Sequence, residues 1–268
     1  MLKMAVSSLS FDGFGDNDFM QTFAFAKEAG YQNVEFNCWY PQLLTSENIK
    51  KLKRRCEEAD LRPISLHVTA FGGETNDTLT TNVCHKIRAI EAAVELGCRR
   101  VVASCMERGC AGGIEAVIEE LKIIAPVAEE ADVLLCLENH CNNVLENEND
   151  YQKILTEIPS SHVGICVDTG HFDASGVNIE QFINQFADRI NHIHLKENNG
   201  VGVKKFCRFG EGTTDNAKII RQLLDKGYTG YMSVELSPEI GETGESIAFG
   251  MEEWKKPLQL FLQFEDAR

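Results

Sequence analysis

Short apolar runs alternate with amphipathic stretches along the whole chain, and this alternation predicts a parallel sheet covered by helices. Eight of the runs have the length and the β-branched content of strands. They cover residues 4–10, 33–37, 63–68, 100–105, 133–138, 164–168, 192–196 and 231–235. Amphipathic segments such as SENIKKLKRRCEEAD lie between them, and a last helix is predicted at about 245–264. The pattern therefore predicts eight consecutive strand-helix units.

Glycine ends several of the predicted helices directly before a strand, so the same local unit repeats along the chain. The repeat is visible in AGYQNVEF, LGCRRVVA and KGYTGYMSVE. No linker interrupts it, and the length of 268 residues is close to the roughly 250 of one eight-unit barrel. We therefore predict an α/β fold, a single (β/α)8 TIM barrel that occupies residues 1–268. A doubly wound open sheet is the alternative, but no glycine fingerprint follows the first strand.

The charge of the chain narrows the range of partners. With 41 acidic and 26 basic residues the formal net charge is −15, which argues against nucleic acid because such binding needs clustered cations. A small anionic substrate stays admissible, since a local basic pocket can exist in an acidic protein. No stretch reaches the roughly 18 apolar residues of a membrane span, and no leader sequence is evident. We therefore expect a cytoplasmic protein with no membrane partner.

Four polar residues that end apolar runs form the strongest chemical signal in the chain. They are Glu138 in LLCLENH, Asp168 in GICVDTGH, His194 in NHIHLKE and Glu235 in YMSVEL, separated by 30, 26 and 41 residues. A strand-helix unit has roughly 30 residues, so each separation matches one unit, the last with a longer loop. Barrels carry their chemistry at the carboxyl ends of strands, and divalent cations bind mixed sets of carboxylates and imidazoles. The four residues therefore predict a metal site.

Other residues that follow predicted strands are candidates for contacting a substrate. They are His67, Glu107, His171, Lys196 and Trp39, and Glu35 is a further strand-end carboxylate that either has a function or is a satisfied structural group. His67 and His171 are the strongest of these, because imidazoles beside a carboxylate set favour ligation or substrate contact. Lys196 shares a strand face with His194. There it either stabilises an anionic oxygen of the substrate or forms a structural salt bridge. Trp39 either forms a wall for a sugar ring or packs in the core.

With these motifs in view, the chain resembles the xylose isomerase-like TIM barrels, a superfamily of sugar isomerases, sugar-phosphate epimerases, inosose-processing enzymes and apurinic endonucleases. The resemblance covers essentially the whole chain and is carried by CLENH, CVDTGH, HIHLKE with GEGTTD after it, and SVEL. It implies one divalent metal ion, Mn2+, Mg2+, Co2+ or Zn2+, with four ligands, Glu138, Asp168, His194 and Glu235. It also implies that His171 contacts the substrate. Similar barrels often pair, so a homodimer is expected.

The chain departs from two branches of that superfamily. Ketose 3-epimerases that act on free sugars carry an arginine where this chain has Gly200. The apurinic endonucleases carry an extra histidine after the fourth strand, where this chain offers Cys105, Met106 and Glu107. Together with the acidic composition, these departures make an apurinic endonuclease the least favoured function.

The resemblance implies an isomerase or epimerase that acts on a small sugar, a sugar phosphate or a polyol-derived ketone. Glu138 and Glu235 are the expected catalytic pair, because one carboxylate can remove the proton beside a carbonyl and the other can return it. Return to the opposite face of the same carbon gives epimerisation, and return to the neighbouring carbon gives aldose-ketose isomerisation. The alternatives are an inosose-type dehydratase on the same metal site and a non-catalytic ligand-binding barrel.

Overall fold

The computed structural model describes residues 2–14, 18–72, 76–237, 239–240, 245–246 and 249–265. Eight parallel strands form a closed barrel in which each strand pairs with the next along the chain. They are β1 (Lys3–Ser7), β2 (Asn33–Asn37), β3 (Arg62–His67), β4 (Arg100–Ala103), β5 (Leu134–Glu138), β6 (Val163–Asp168), β7 (Ile190–Leu195) and β8 (Tyr231–Val234). The pairing of β1 with β8, which begins at Lys3 and Tyr231, closes the barrel. The predicted α/β fold, a TIM barrel, is confirmed.

The segments between the strands are mostly helical and surround the barrel. The described α-helices are α1 (Leu9–Asp12), α2 (Met20–Phe25), α3 (Ser46–Ala59), α4 (Asn76–Leu96), α5 (Gly113–Ala131), α6 (Glu148–Glu157), α7 (Thr169–Ser175), α8 (Ile179–Phe186), α9 (Asn216–Asp225) and α10 (Met251–Glu265). A short antiparallel ribbon of β9 (Glu239–Ile240) and β10 (Glu245–Ser246) precedes α10. Within the described part of the chain, no helix has both the length and the apolar character needed to cross a membrane.

Local polar residues set the ends of several helices. Thr45 accepts a hydrogen bond from the backbone N–H of Asn48 at the start of α3, and Asn147 forms a capping box with Asp150 at the start of α6. Asp215, the last residue of GEGTTD, accepts from the backbone N–H of Lys218 at 2.9 Å and caps α9. These caps supply partners for N–H groups that the first helical turn leaves free.

Two predicted boundaries differ from the structure by more than two residues. The first strand ends at Ser7 and not at residue 10, because the carbonyl of Ser8 accepts from Phe11 and Asp12 and so starts a helical turn. The last helix begins at Met251 and not near residue 245, because Glu245 and Ser246 pair with β9. In both cases, backbone hydrogen bonds that the hydrophobic pattern does not encode decide the boundary.

The strands present apolar residues to the helices and a smaller, more polar set to the inside of the barrel. On β5, Leu135 and Leu137 belong to the large core that includes the helices, whereas Cys136 belongs to a separate cluster with Val102 and Cys166. Side chains of a strand alternate between its two faces, so these three small residues point inward. The barrel interior therefore has room for polar groups below the strand ends.

Helix α10, near the end of the chain, packs against segments near its beginning. Nε1 of Trp254 donates to the carbonyl of Ser10 at 2.8 Å, and the hydroxyl of Tyr31 donates to the carbonyl of Trp254 at 2.9 Å. The indole also packs on Phe11 with a centroid distance of 4.7 Å and on Phe25 with one of 5.5 Å. Trp254 thus links three separate segments around the closing strands.

We predict that Trp254→Ala destabilises the protein by about 3–5 kcal/mol, since it removes a buried indole and leaves a cavity. Leu262→Ala on the same helix is the control, because Leu262 is 56% exposed. Urea unfolding followed by circular dichroism would measure both. Equal effects of the two substitutions would show that Trp254 does not anchor the helix.

Candidate metal centre

The structure brings together the four residues that the sequence singled out as metal ligands. Glu138, Asp168 and His194 lie on β5, β6 and β7, and Glu235 directly follows β8. One ligand atom from each residue lies within 4.8 Å of the others. From Nδ1 of His194, the nearest carboxylate oxygens lie at 2.6 Å in Glu138, 3.5 Å in Glu235 and 4.0 Å in Asp168. All four side chains are buried.

The chemistry of this set fits one divalent cation. Oδ2 of Asp168 and Oε2 of Glu235 are buried without a hydrogen-bond partner among the described residues. The nearby ammonium group of Lys196 lies 2.6 Å from the other oxygen of Glu235 and 3.2 Å from Asp168 Oδ2. One ammonium group does not balance three buried carboxylates, and burying unbalanced charge is costly. Carboxylate oxygens with one imidazole nitrogen are donors that Mn2+, Mg2+, Co2+ and Zn2+ all accept.

Burial and neighbouring charges shift the pKa values of two carboxyl groups in the cluster. Burial raises the pKa of the Asp168 carboxyl to about 6, and the charges of Glu138 and Glu235 add to the increase. Burial acts in the same sense on Glu138, but His194 and His67 outweigh it and hold its pKa well below the usual value. The two carboxyl groups therefore differ because nearby positive charge outweighs burial at Glu138, whereas at Asp168 burial and the neighbouring carboxylates outweigh the ammonium group of Lys196.

The second ring nitrogen of His194 faces a buried carboxylate that the sequence did not identify as its partner. Nε2 of His194 lies 2.8 Å from Oε1 of Glu35. The other oxygen of Glu35 accepts from the hydroxyl of Ser65 at 2.7 Å and lies 2.9 Å from Nε2 of His192. Glu35 therefore lies below the ligands inside the barrel, and not at its mouth. A carboxylate in this position orients a metal-binding imidazole so that Nδ1 faces the ion.

His192 is a buried part of this arrangement that sequence reasoning missed. It contacts Glu35 from the same strand, β7, that carries His194. The signal was present in NHIHLKE, because residues two apart on a strand share a face. Together, His192 and His194 outweigh the burial of Glu35 and hold its pKa well below the usual value.

A cavity of about 430 Å³ opens above the cluster. Both members of the predicted catalytic pair, Glu138 and Glu235, line it. Four of the five residues predicted to contact the substrate also line it, namely His67, His171, Lys196 and Trp39. The volume is in the range of small-molecule sites.

Glu107 is the predicted substrate residue that the structure does not bring to the cavity. Strand β4 ends at Ala103, and Met106 and Glu107 are exposed on the segment that follows. The backbone of Glu107 pairs with Asn143, and Glu107 is not among the residues that line the cavity. Its predicted contact with a substrate therefore has no support from the position of the residue in this structure and stays a prediction.

The two cavity histidines have defined hydrogen-bond partners. Nδ1 of His171 accepts from the backbone N–H of Cys141 at 3.2 Å, so its proton is on Nε2. Nδ1 of His67 lies 3.3 Å from the amide nitrogen of Asn37, whose oxygen accepts from Ser8 at 2.8 Å. His67 therefore also carries its proton on Nε2, which lies 3.4 Å from Glu138. Both rings can donate from Nε2.

The remaining walls are aromatic or imidazole. Trp39 is half-buried, stacks on Phe14 with a centroid distance of 5.5 Å and meets the ring of His67 nearly at a right angle. On another side, the ring of His140 packs on that of His171 with a centroid distance of 3.5 Å and an angle of 34° between the ring planes. His140 was not among the predicted residues, although it stands in the CLENH motif. Such walls suit the faces of a sugar ring and its hydroxyl groups.

The protein is an eight-stranded α/β barrel in which carboxylates and an imidazole cluster at the ends of the strands. This combination defines the class of α/β barrels with a candidate metal site at the strand ends. The chain belongs to the xylose isomerase-like TIM barrel family, whose sequence model matches residues 23–253. It is 24% identical over 259 residues to an inosose dehydratase of Clostridium perfringens, with 82% of each chain covered. It is 32% identical over 124 residues to a D-psicose 3-epimerase of Enterocloster bolteae, with 44% of this chain and 38% of that protein covered.

A solved structure shares the fold over nearly the whole chain. It is that of the IOLI protein with a binding zinc atom, which superimposes with a TM-score of 0.78 at 17% identity and covers 98% of this chain and 97% of that one. The relatives with assigned activities thus include both sugar 3-epimerases and inosose dehydratases.

We predict that Glu35→Ala weakens divalent-metal affinity by about 10- to 100-fold, the usual effect of losing the partner of a metal-binding imidazole. Glu35→Gln should weaken it less, because the amide oxygen can still accept from Nε2 of His194. Glu120→Gln is the control, since Glu120 is equally buried but pairs with Lys86 instead. Competition with a chromophoric chelator measures the affinities. Equal losses for Glu35→Ala and Glu120→Gln would refute the orienting role.

Proposed function

We propose that this protein is a divalent-metal-dependent isomerase or epimerase that moves a proton on a small sugar, sugar phosphate or polyol-derived ketone. The observation that carries the proposal is the placement of Glu138 and Glu235 around one cavity. They come from β5 and β8, which are separated on the barrel wall by β6 and β7. Two carboxylates that approach from different sides can exchange a proton with different faces of one substrate.

The reaction follows from this placement. When bound, a divalent cation supplies the polarisation of a substrate carbonyl and stabilises negative charge on its oxygen. One of the carboxylates Glu138 and Glu235 removes the proton from the adjacent carbon, and the other returns it. Return to the opposite face of the same carbon gives an epimer, whereas return to the neighbouring carbon gives an isomer. The same two groups serve both reactions.

Lys196 supports the proposed base. Burial disfavours its charge, but Asp168 and Glu235 outweigh burial and raise the pKa of its ammonium group. The ammonium group therefore stays charged and, at 2.6 Å, holds one oxygen of Glu235 in place. A fixed charge of this kind favours negative charge that develops on the substrate.

The neutral histidines complete the binding surface. Burial, together with His140 and Lys196, keeps the pKa of His171 well below the usual value. His171 is therefore uncharged at neutral pH and donates from Nε2 to a substrate oxygen. Trp39 and Phe14 cover another side of the cavity, where they exclude water from the substrate.

The relatives support a sugar as the substrate and are compatible with two different reactions. The zinc atom of the IOLI protein supports metal use, and the 3-epimerases support proton transfer at carbon. An inosose-type dehydratase is the second candidate, because the matched inosose dehydratase aligns over 82% of the chain against 44% for the D-psicose 3-epimerase. Its reaction starts with the same deprotonation but continues by loss of a hydroxyl group. Product analysis by NMR would separate the two reactions.

Gly200 favours a substrate other than a free ketohexose. It stands where the resemblance places an arginine in ketose 3-epimerases that act on free sugars. Its φ of 128° is a backbone conformation that L side chains rarely adopt. An arginine at this position would therefore strain the loop in the conformation that it has here.

The first test is the metal content of the purified protein, followed by deuterium exchange from D2O into a panel of ketoses and ketose phosphates. We expect close to one divalent ion per chain and exchange into at least one substrate. A protein that binds no metal after reconstitution would refute the proposal. Metal and ligand binding without exchange would favour the non-catalytic barrel, and cleavage of abasic DNA would favour the nuclease.

We predict that Glu235→Gln lowers the exchange rate by about 10²- to 10⁴-fold, the usual contribution of a general base. The fold should persist, because Gln has nearly the same shape. Glu107→Gln is the matched control, since that exposed carboxylate lies outside the cavity. Unchanged exchange in Glu235→Gln would exclude it as the base, and a large loss in Glu107→Gln would place Glu107 in the site after all.

A further inference from the structure

Two lysines mark the inner and outer parts of one cavity wall. Lys196 is buried, and Lys204 is exposed, yet both line the cavity. The ring of Phe206 connects them, because the ammonium group of Lys196 lies 5.0 Å from its centroid and that of Lys204 lies 5.6 Å from it. The edge of His171 packs on the same ring at a centroid distance of 4.7 Å. The wall is therefore rich in positive charge and N–H donors.

The two ammonium groups differ in their partners. Lys196 is neutralised by Asp168 and Glu235, which hold it at 3.2 and 2.6 Å. Lys204 forms no ion pair with any residue in the described ranges, and its only described partner is the face of Phe206. Among the two cavity lysines, only Lys204 is thus available to a ligand.

The backbone that carries Lys204 is held by a buried polar contact. The side-chain oxygen of Asn198 accepts from the backbone N–H of Lys205 at 2.7 Å, and the N–H of Asn199 donates to the carbonyl of Lys205 at 2.9 Å. The amide of Asn198 in turn donates to Asp173 at 2.9 Å, and Asn198 is fully buried. The loop therefore fixes the start of the Lys204 side chain beside the cavity, and only its flexible end must become ordered on binding.

The charge of Lys204 acts inside the cavity. The ring of His171 packs on Phe206, over which the ammonium group of Lys204 lies. The ring of His140 in turn packs on His171. A positive potential therefore reaches the imidazole wall, whereas the carboxylates Glu138 and Glu235 lie at the reacting end. An anionic group on a substrate would be repelled by those carboxylates and attracted toward Lys204.

We propose that Lys204 forms an anion-binding subsite and that the substrate carries a phosphate ester or a carboxylate at the end remote from its reacting carbons. This inference rests on the proposed function for the orientation of the substrate and adds its chemical class. The substrate extends from Glu138 and Glu235 along Phe206 to Lys204. Its anionic group meets the one cavity lysine that the described residues leave without a carboxylate.

The test compares binding of matched ligands to the metal-loaded protein by isothermal titration calorimetry. The ligands are D-fructose, D-fructose 6-phosphate and D-fructuronate, together with D-ribulose and D-ribulose 5-phosphate. We expect at least one anionic ligand to bind about tenfold or more tightly than its neutral counterpart, as for a hydrogen bond to a charged group. The phosphate and carboxylate arms decide which anion the subsite prefers. Added salt should reduce the preference, because Lys204 is exposed.

Lys204→Gln should remove most of this preference, while affinity for the neutral sugars changes little. Lys205→Gln is the matched control, because it removes the same charge from the next residue, which does not line the cavity. A lysine that only covers Phe206 would alter stability and leave the anionic preference intact. Binding of no anionic ligand, equal binding of anionic and neutral ligands, or an unchanged preference in Lys204→Gln would each overturn the subsite.

Deuterium exchange on the same samples separates this inference from the proposed function. Exchange into the neutral sugars without an anionic preference would support the enolising enzyme and overturn the subsite. A preference that depends on Lys204, without exchange into any ligand, would support the subsite and count against the isomerase or epimerase.

Discussion

Repulsion among three buried carboxylates is the constraint on which the rest of the site depends. Glu138, Asp168 and Glu235 lie within ligand distance of one another at the carboxyl end of the barrel, and all three are buried. Lys196 and His194 offset only part of their charge. Burying charges without full compensation is unfavourable, so the cluster destabilises the protein locally. A divalent cation would reduce this destabilisation. The closed barrel supplies the rigidity that holds these groups together in spite of their repulsion.

Strand β7 places functional side chains at successive depths of the barrel, because every second residue of a strand points to the same face. His192 and His194 share its inner face, and Lys196 directly follows the strand. The deepest of these residues contacts Glu35, the next supplies the proposed ligand atom, and the lysine reaches Glu235 in the cavity. Small side chains such as Cys136 and Cys166 leave space inside the barrel for these polar groups. The interior is therefore part of the site as well as part of the core.

The cavity above the cluster has distinct sides. Trp39 and Phe14 form an aromatic side, while His171 and Lys204 lie on a side with donors and positive charge. Under the proposed function, these two sides would orient a substrate so that its reacting end meets the carboxylates. This asymmetry suits a small, polar and elongated molecule, and it links the proposed proton transfer to the recognition of a remote group.

The sequence by itself determined the eight strands and the barrel, because short apolar runs alternate with amphipathic stretches along the chain. It also indicated the four proposed ligands, since parallel strands in a barrel bring their carboxyl ends to one face. Only the tertiary structure decided that Glu35 is the partner of His194, because that contact joins β2 to β7 across the barrel interior. Tertiary structure likewise left Glu107 outside the cavity and brought Lys204 to it, because the course of a loop depends on hydrogen bonds such as those of Asn198 and not on strand periodicity.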